Sequence, residues 1–221
     1  MKPRTAISWS GGKDSYLALH RSRSAFDVVA MITMFNEDGS RSRSHGLRRK
    51  IVDAQAARLG LPLFAGRGSW ATYELDYRQA LRAACSLQIS HVIFGDIMYA
   101  SNRAFPERVC TDEGLVAVEP LWEEPTDALF REFVATGADA RIVTIRDGLL
   151  DRTWLGRRLT DDLLDDIRAA GIDPCGEHGE YHTVVLDAPL FSAPIHVTWG
   201  EQVVRSGCWA ADLEDADALR V

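Results

Sequence analysis

Two short runs of this chain carry most of its chemically capable side chains: Ser10-Gly11-Gly12-Lys13-Asp14-Ser15 and Glu177-His178-Gly179-Glu180-Tyr181-His182-Thr183. The first lies between the strand-like Ala6-Ile7-Ser8-Trp9 and a stretch, Tyr16-Leu17-Ala18-Leu19-His20, with apolar residues at helical spacing. A strand that turns through two glycines into a helix leaves the first helical N–H groups unpaired. Together with the positive end of the helix dipole, those donors make an anion site. Gly11 and Gly12 let the backbone close on a phosphate without Cβ clashes. Ser10 and Ser15 add hydroxyls, Lys13 adds a cation, and Asp14 is the candidate metal ligand, placed to hold Mg²⁺ on a nucleotide. Ser8, at the end of the strand, is counted among the nucleotide-binding candidates. A plain serine-capped glycine turn is the alternative, and the flanking Ser, Lys, Asp and Ser favour nucleotide binding over it.

The second run packs Glu177, His178, Glu180 and His182 into six residues. One reading is a polar loop ahead of a strand, with Glu177 capping amides. A metal reading rests on His178 and His182 but fails on detail, because a zincin helix needs Glu directly after the first His and Gly179 stands there. The third reading is substrate recognition. Gly176 and Gly179 permit a tight turn that presents Glu177 and Glu180 on one edge, where carboxylates suit an ammonium or amide-bearing partner. They could equally orient ammonia or accept its proton.

The elements that must position these runs read as an α/β chain. Strand-like segments at Val28–Phe35, Leu63–Ala65, His91–Phe94 and Leu115–Val118 alternate with helical patterns at about His45–Leu59 and Tyr73–Leu87. Val28–Phe35 is apolar at nearly every position, as expected of a strand buried on both faces of a parallel sheet. Leu75, Ala80, Leu81 and Ala84 are expected on one face of the second helix. In such sheets ligands lie beyond the carboxyl ends of the strands. The Ser10 run, Asn36–His45 and Gly95-Asp96 are expected to converge there. Farther on, a helix is expected at Leu129–Val134, a strand at Ala140–Ile145, and a helix at Asp161–Ala170. Beyond these come short strands at His196–Trp199 and Gln202–Val204, and an acidic tail at Asp212–Asp217. The expected division is a nucleotide-binding domain over 1–99 and a smaller α+β lobe over 100–221.

Bulk properties narrow the function. The chain has 221 residues, of which 46% are hydrophobic, and a net charge of −7. That charge is the wrong sign for a broad nucleic-acid surface. Arg41, Arg43, Arg48, Arg49 and Lys50 form a local exception, read first as a solvated face and otherwise as a receiver for an anionic substrate. No apolar run reaches the ~18–20 residues of a membrane span, and no secretory signal is seen, so a soluble cytoplasmic protein is expected. Cys85, Cys110, Cys175 and Cys208 are scattered without a C-x-x-C pair, which fits reduced thiols.

The Ser10–Ser15 hexapeptide resembles the PP-loop of the N-type ATP pyrophosphatases, which cleave ATP between the α- and β-phosphates. Further segments occur in one order along the chain: His45-Gly46, Ala54-Gln55-Ala56, Leu59-Gly60-Leu61-Pro62, Val92–Ile97, Pro120-Leu121-Trp122, Trp154-Leu155-Gly156-Arg157 and Gly176–Thr183. Together they resemble the diphthine–ammonia ligase (diphthamide synthase) family over nearly the whole length. The resemblance implies a PP-loop parallel sheet with a smaller C-terminal lobe, and a C–N ligase using ATP and Mg²⁺. Such an enzyme adenylates a carboxylate, of protein-borne diphthine or of a small molecule, and amidates it with ammonia. It implies Lys13, Asp14, Glu177, Glu180 and His182 as catalytic residues, and Ser8, Ser10–Ser15, Gly95 and Asp96 around the nucleotide. His45, Glu177, Glu180, Tyr181, His182 and Thr183 would face the second substrate, and a homodimer is a further expectation. Family members acting on diphthine tend to carry Glu where this chain has His182, and relatives with His there point instead toward corrinoid salvage. The Met98–Pro106 segment also lacks the family's acidic pair. Sulfur transfer to tRNA and a nucleotide sensor without turnover are the rival readings.

Overall fold

The computed structural model describes residues 1–215. Its residues fall into two compact units. The first comprises 1–10, 14–44 and 60–123; the second comprises 11–13, 45–59 and the chain from 124 onward. The expected boundary at 99/100 thus stands against a division at 123/124, because the strand at 116–118 belongs to the first sheet.

That sheet holds β1 (Arg4–Ser8), β2 (Asp27–Phe35), β3 (Leu63–Arg67), β4 (His91–Ile93) and β5 (Val116–Val118), all parallel, in the order β3-β2-β1-β4-β5. Ala6, Ile7, Val92 and Ile93 are fully buried, as befits central strands. β2 is buried from Ala30 to Phe35, in line with its unbroken apolar run. Strand order reverses between β1 and β4, which pair directly through Ile7 and Ile93. The ends of these two strands flank the topological switch point. α1 (Lys13–Ser22) follows β1, and α3 (Tyr73–Ala84) buries Tyr77, Ala80, Leu81 and Ala84. Leu75, expected on that face, is exposed, and Tyr77 takes its place. α4 (Ala100–Asp112) was not apparent in the sequence pattern: only Pro106, Val109 and Cys110 of it are buried, too few for a stripe.

The second unit holds α2 (Arg49–Leu59), α5 (Thr126–Ala135), α6 (Asp161–Ala169) and an antiparallel sheet. Its strands are β6 (Asp139–Arg146), β7 (Tyr181–Asp187), β8 (Val197–Arg205) and β9 (Cys208–Asp215), in the order β7-β6-β9-β8. α2 starts at Arg49 rather than His45, since Gly46 adopts φ +67° and breaks the helical path. α6 begins as its sequence suggests: Thr160 accepts the Leu163 N–H at 3.2 Å, and Asp161 and Asp162 sit at the dipole's positive end. The two short strands expected at 196–204 are one strand with a register shift between Trp199 and Gln202. The expected acidic tail is instead the end of β9 as far as Asp215; Ala216 and Asp217 lie outside the described residues. Among the described residues no helix is long and apolar enough to cross a membrane.

Candidate active site

In the first unit, Trp9 extends the pairing of β1 by donating its N–H to the Ile32 carbonyl at 2.8 Å. The Ser10 hydroxyl donates to the Ser15 hydroxyl at 3.2 Å, and Asp14 lies in the first turn of α1. A Cβ on Gly95 would stand 2.9 Å from both the Asp14 carbonyl carbon and the Ser15 nitrogen. Those are backbone atoms that cannot swing aside, so only glycine lets the end of β4 approach the start of α1 this closely. Beside it, burial and then the charge of Asp14 push the Asp96 carboxyl up to about 6. Glu119, just beyond β5, is pushed to about 7 by burial and then by Asp96. Its Oε2 lies 3.4 Å from Arg103 Nε, while its buried Oε1 has no hydrogen-bond partner among the described residues. The hydroxyl of Tyr77 is raised well above its ordinary value by burial, with Ser8 acting against the shift.

Mutual repulsion of Asp14 and Asp96 is the condition a divalent cation relieves. These two carboxylates therefore fit Mg²⁺ carried in on a nucleotide. Among the described residues no group of three or more His, Cys, Asp or Glu is arranged to hold a metal ion by itself.

In the second unit, Gly11–Lys13 pack with α2, the His45 segment and β7. Gln55 is fully buried, and its Nε2 donates to the Gly11 carbonyl at 2.9 Å and the Val185 carbonyl at 2.8 Å. The Gly11 carbonyl also accepts the Val185 N–H at 2.9 Å. Gly11 itself has φ +91°, and a Cβ there would meet Gln55 Oε1 at 2.9 Å. Lys13 N–H donates to Thr183 Oγ1 at 3.0 Å, so one of the helix-start donors expected for phosphate is already engaged. The Lys13 ammonium is buried; it donates to the Cys175 carbonyl and lies 5.6 Å from the centre of the Tyr181 ring.

His45 Nδ1 lies 2.8 Å from the Thr183 carbonyl. A carbonyl only accepts, so Nδ1 carries the proton and Nε2 presents a lone pair. Burial, reinforced by the Lys13 charge, holds the imidazole at about 4, and the ring stacks on His182 at 4.8 Å with 23° between planes. A Cβ on Gly12 would stand 2.8 Å from His45 Nδ1 and 2.9 Å from Thr183 Oγ1. The loop glycine thus makes room for the histidine.

The 173–180 loop is braced from inside. Asp173 Oδ1 accepts the N–H groups of Cys175 and Glu177 at 2.8 and 3.2 Å, and Asp173 Oδ2 accepts the Thr126 hydroxyl at 2.7 Å. Glu180 is buried; its Oε1 accepts the Asp173 N–H at 3.2 Å and its Oε2 the His178 N–H at 2.9 Å. Tyr181 donates its hydroxyl to the Pro174 carbonyl. Glu177 lies at the loop tip, partly exposed, and His178 is exposed. The Cys175 thiol is buried and donates to the Thr126 carbonyl at 3.4 Å, a poor station for a sulfur-transfer nucleophile. The basic run is largely paired: Arg48 grips Asp212 and lies 3.0 Å from Glu214, Arg49 is 3.4 Å from Asp53, and Arg43 caps the Trp70 ring.

A sequence model of the diphthamide synthase N-terminal domain matches residues 3–117, and one of the C-terminal domain matches 125–213. The chain belongs to the diphthamide synthase family. A mouse protein named diphthine–ammonia ligase is 30% identical over 230 residues, covering 92% of this chain and 86% of that protein. A Schizosaccharomyces pombe protein of the same name is also 30% identical, but the chain spans only 36% of its length. A solved structure titled as a predicted subunit of a tRNA methyltransferase from Methanocaldococcus jannaschii aligns with a TM-score of 0.43 at 13% identity. It covers 84% of this chain and 98% of that one, and decides nothing about function.

Within this diphthamide synthase chain, the sequence singled out Ser8, Ser10, Asp14, Ser15, Gly95 and Asp96, all of which lie in the first unit. Lys13, His45, Thr183 and His182 cluster in the second, with Glu180 and Tyr181 holding the neighbouring loop. Three contributors escaped selection. Gln55 was visible only as part of the Ala54-Gln55-Ala56 segment, Asp173 precedes the charged run by four positions, and Glu119 adjoins the Pro120-Leu121-Trp122 segment.

Proposed function

We propose that this protein is an ATP-dependent ligase that adenylates a carboxylate and then amidates it with ammonia, releasing AMP and pyrophosphate. The observation that carries the reading is the glycine-lined start of α1 at the β1/β4 switch point, with Asp14 and Asp96 beside it. A carboxylate oxygen attacks the α-phosphorus of ATP, and the bond to the bridging oxygen breaks, so pyrophosphate leaves. The acyl carbon now carries AMP as its leaving group. Ammonia attacks that carbon, gives up a proton to solvent, and expels AMP to give the amide.

The residues contribute positioning and charge stabilisation. Ser10, Ser15 and the remaining α1 amides receive the phosphates, and Ser8 and Gly95 shape the nucleotide side. Asp14 with Asp96 would hold Mg²⁺, which would supply charge neutralisation to the phosphates. Lys13 adds its charge from its station on the Cys175 carbonyl. Glu177 at the loop tip and His182 on the His45 ring are the groups proposed to meet the acyl substrate or ammonia, with Thr183, Tyr181 and Glu180 fixing their places.

Diphthine on a protein is the first acceptor to test, following the names of the relatives. The stacked His45–His182 pair favours a second reading, a small-molecule carboxylate, because an imidazole stands at position 182, where relatives acting on diphthine are expected to carry a carboxylate. The test is product analysis with α-labelled ATP, ammonia and each acceptor class. AMP and pyrophosphate formed only with acceptor and ammonia support the ligase. Intact nucleotide, or ADP with orthophosphate, overturns it.

A further inference from the structure

Apart from these groups, the second unit contains a shallow, largely open cavity of about 420 Å³. Arg141, Gly156, Arg157, Trp199, Gly200 and Gln202 line it. One wall is the Trp154-Leu155-Gly156-Arg157 run, which the ligase reaction leaves without a task. Gly156 has φ +86°, and a Cβ there would rest on the Trp199 ring at 3.7 Å. The indole thus lies over a bare α-carbon, and it remains 38% exposed. The register shift in β8 falls between Trp199 and Gln202, and such a bulge re-aims the side chains on either side of it.

The polar groups of this cavity are unequally used. Arg141 is spent: two of its nitrogens hold Asp139 at 3.2 Å, and the third reaches the Gly156 carbonyl at 3.4 Å. Arg157 is held by Asp166 through one nitrogen and lies over the Trp154 ring at 4.8 Å. That orientation leaves its Nε and Nη1 donors without a partner among the described residues. The Gln202 amide and the Trp199 indole N–H likewise make no hydrogen bond among the described residues. A flat ring face, a guanidinium with open donors and an amide that both donates and accepts complement one kind of ligand.

We propose that this cavity binds a mononucleotide-like heteroaromatic anion, its ring against Trp199, its anionic group on Arg157 and its ring edge on Gln202. Aromatic faces accept any base by stacking, and guanidinium forks suit phosphate. The chain's net charge of −7 opposes a nucleic-acid polymer and leaves a single nucleotide as the better match. This assignment is independent of the ligase reading.

The test is ¹⁹F NMR of the full chain labelled with 5-fluorotryptophan. Of the six tryptophan resonances, Trp199 is the one lost in Trp199→Phe. AMP is the probe, with adenosine and inorganic phosphate as separate arms. AMP is expected to move the Trp199 resonance saturably, adenosine to do so about tenfold more weakly, and phosphate to leave it in place. Arg157→Gln should weaken AMP about tenfold by this readout, and Gln202→Ala should weaken it severalfold with the other resonances undisturbed. A Trp199 resonance indifferent to AMP overturns the proposal. So does a response to phosphate alone equal to that for AMP, or unchanged affinity in both variants.

Discussion

Replacing His45 by Asn converts the electrostatics of the second cluster into a measurable pH dependence. In the fold, burial and Lys13 lower the imidazole from its ordinary 6.5 to about 4. The unfolded chain takes up this proton near the ordinary value. Between the two values the unfolded state binds more protons, so stability rises with pH across that window and is lost as pH falls. The span of about 2.5 units, at about 1.4 kcal/mol per unit, amounts to about 3 kcal/mol. Asp96 and Glu119 act with the opposite sign: their raised values let the fold keep protons that the unfolded chain gives up, so they weaken the fold as pH rises toward about 6 and 7. Total stability therefore mixes opposing terms, and the difference between parent and variant isolates His45.

Asn retains an N–H for the Thr183 carbonyl but cannot titrate. In urea unfolding, the stability of the parent relative to His45→Asn should fall by about 3 kcal/mol between neutral pH and the low end of that window. The ring Hε1 shift of His45, identified among six histidines by its loss in the variant, should titrate with a midpoint near 4. A pH-independent difference, or a midpoint near 6.5, would refute the claim that this ring is held neutral against the loop.

Gly12→Ala would drive a methyl group into His45 and Thr183; a loss of about 1–3 kcal/mol in thermal or urea unfolding is expected, with loss of ATP turnover. Gln55→Leu removes the shared donor of the Gly11 and Val185 carbonyls, and should cost about 1–3 kcal/mol by the same measurements. Glu180→Gln puts an amide N–H against one of two backbone donors; it should loosen the 173–180 loop, seen as faster amide exchange at His178 or Asp173. Unchanged exchange with abolished turnover would instead make Glu180 a chemical participant.

The sequence disclosed what depends on pattern. Val28–Phe35 reads as a central strand because nearly every position is apolar, and Ser10–Ser15 reads as a phosphate turn because glycines and donors must sit between strand and helix. It concealed what depends on backbone partners. Glu180 looks like a base, yet both its oxygens accept amides of its own loop, and an amide leaves no residue-specific mark. Lys13 looks like a phosphate clamp, but its ammonium rests on a carbonyl 162 positions away. α4 escaped notice because Ser, Asn and Pro106 interrupt any stripe, and β9 because its acidic residues resemble a tail.

These placements constrain the chemistry that the second cluster can perform. Both Glu180 oxygens are engaged by loop amides, and His45, held at about 4, is no strong base at neutral pH. An acyl adenylate does not require one, since free ammonia is itself a nucleophile and AMP a good leaving group. What such a step needs is an acceptor that orients the N–H bonds and an uncharged surface that favours ammonia over ammonium. In the proposed reaction His45 would supply both features, because its Nε2 is fixed as an acceptor by the Nδ1 bond to Thr183 and its ring is held neutral by burial, with the His182 ring stacked on it. A Glu at position 182 would instead present a carboxylate to whatever approaches the pair. The identity of that single side chain therefore bears directly on which nitrogen species, and which acceptor, the second cluster can take.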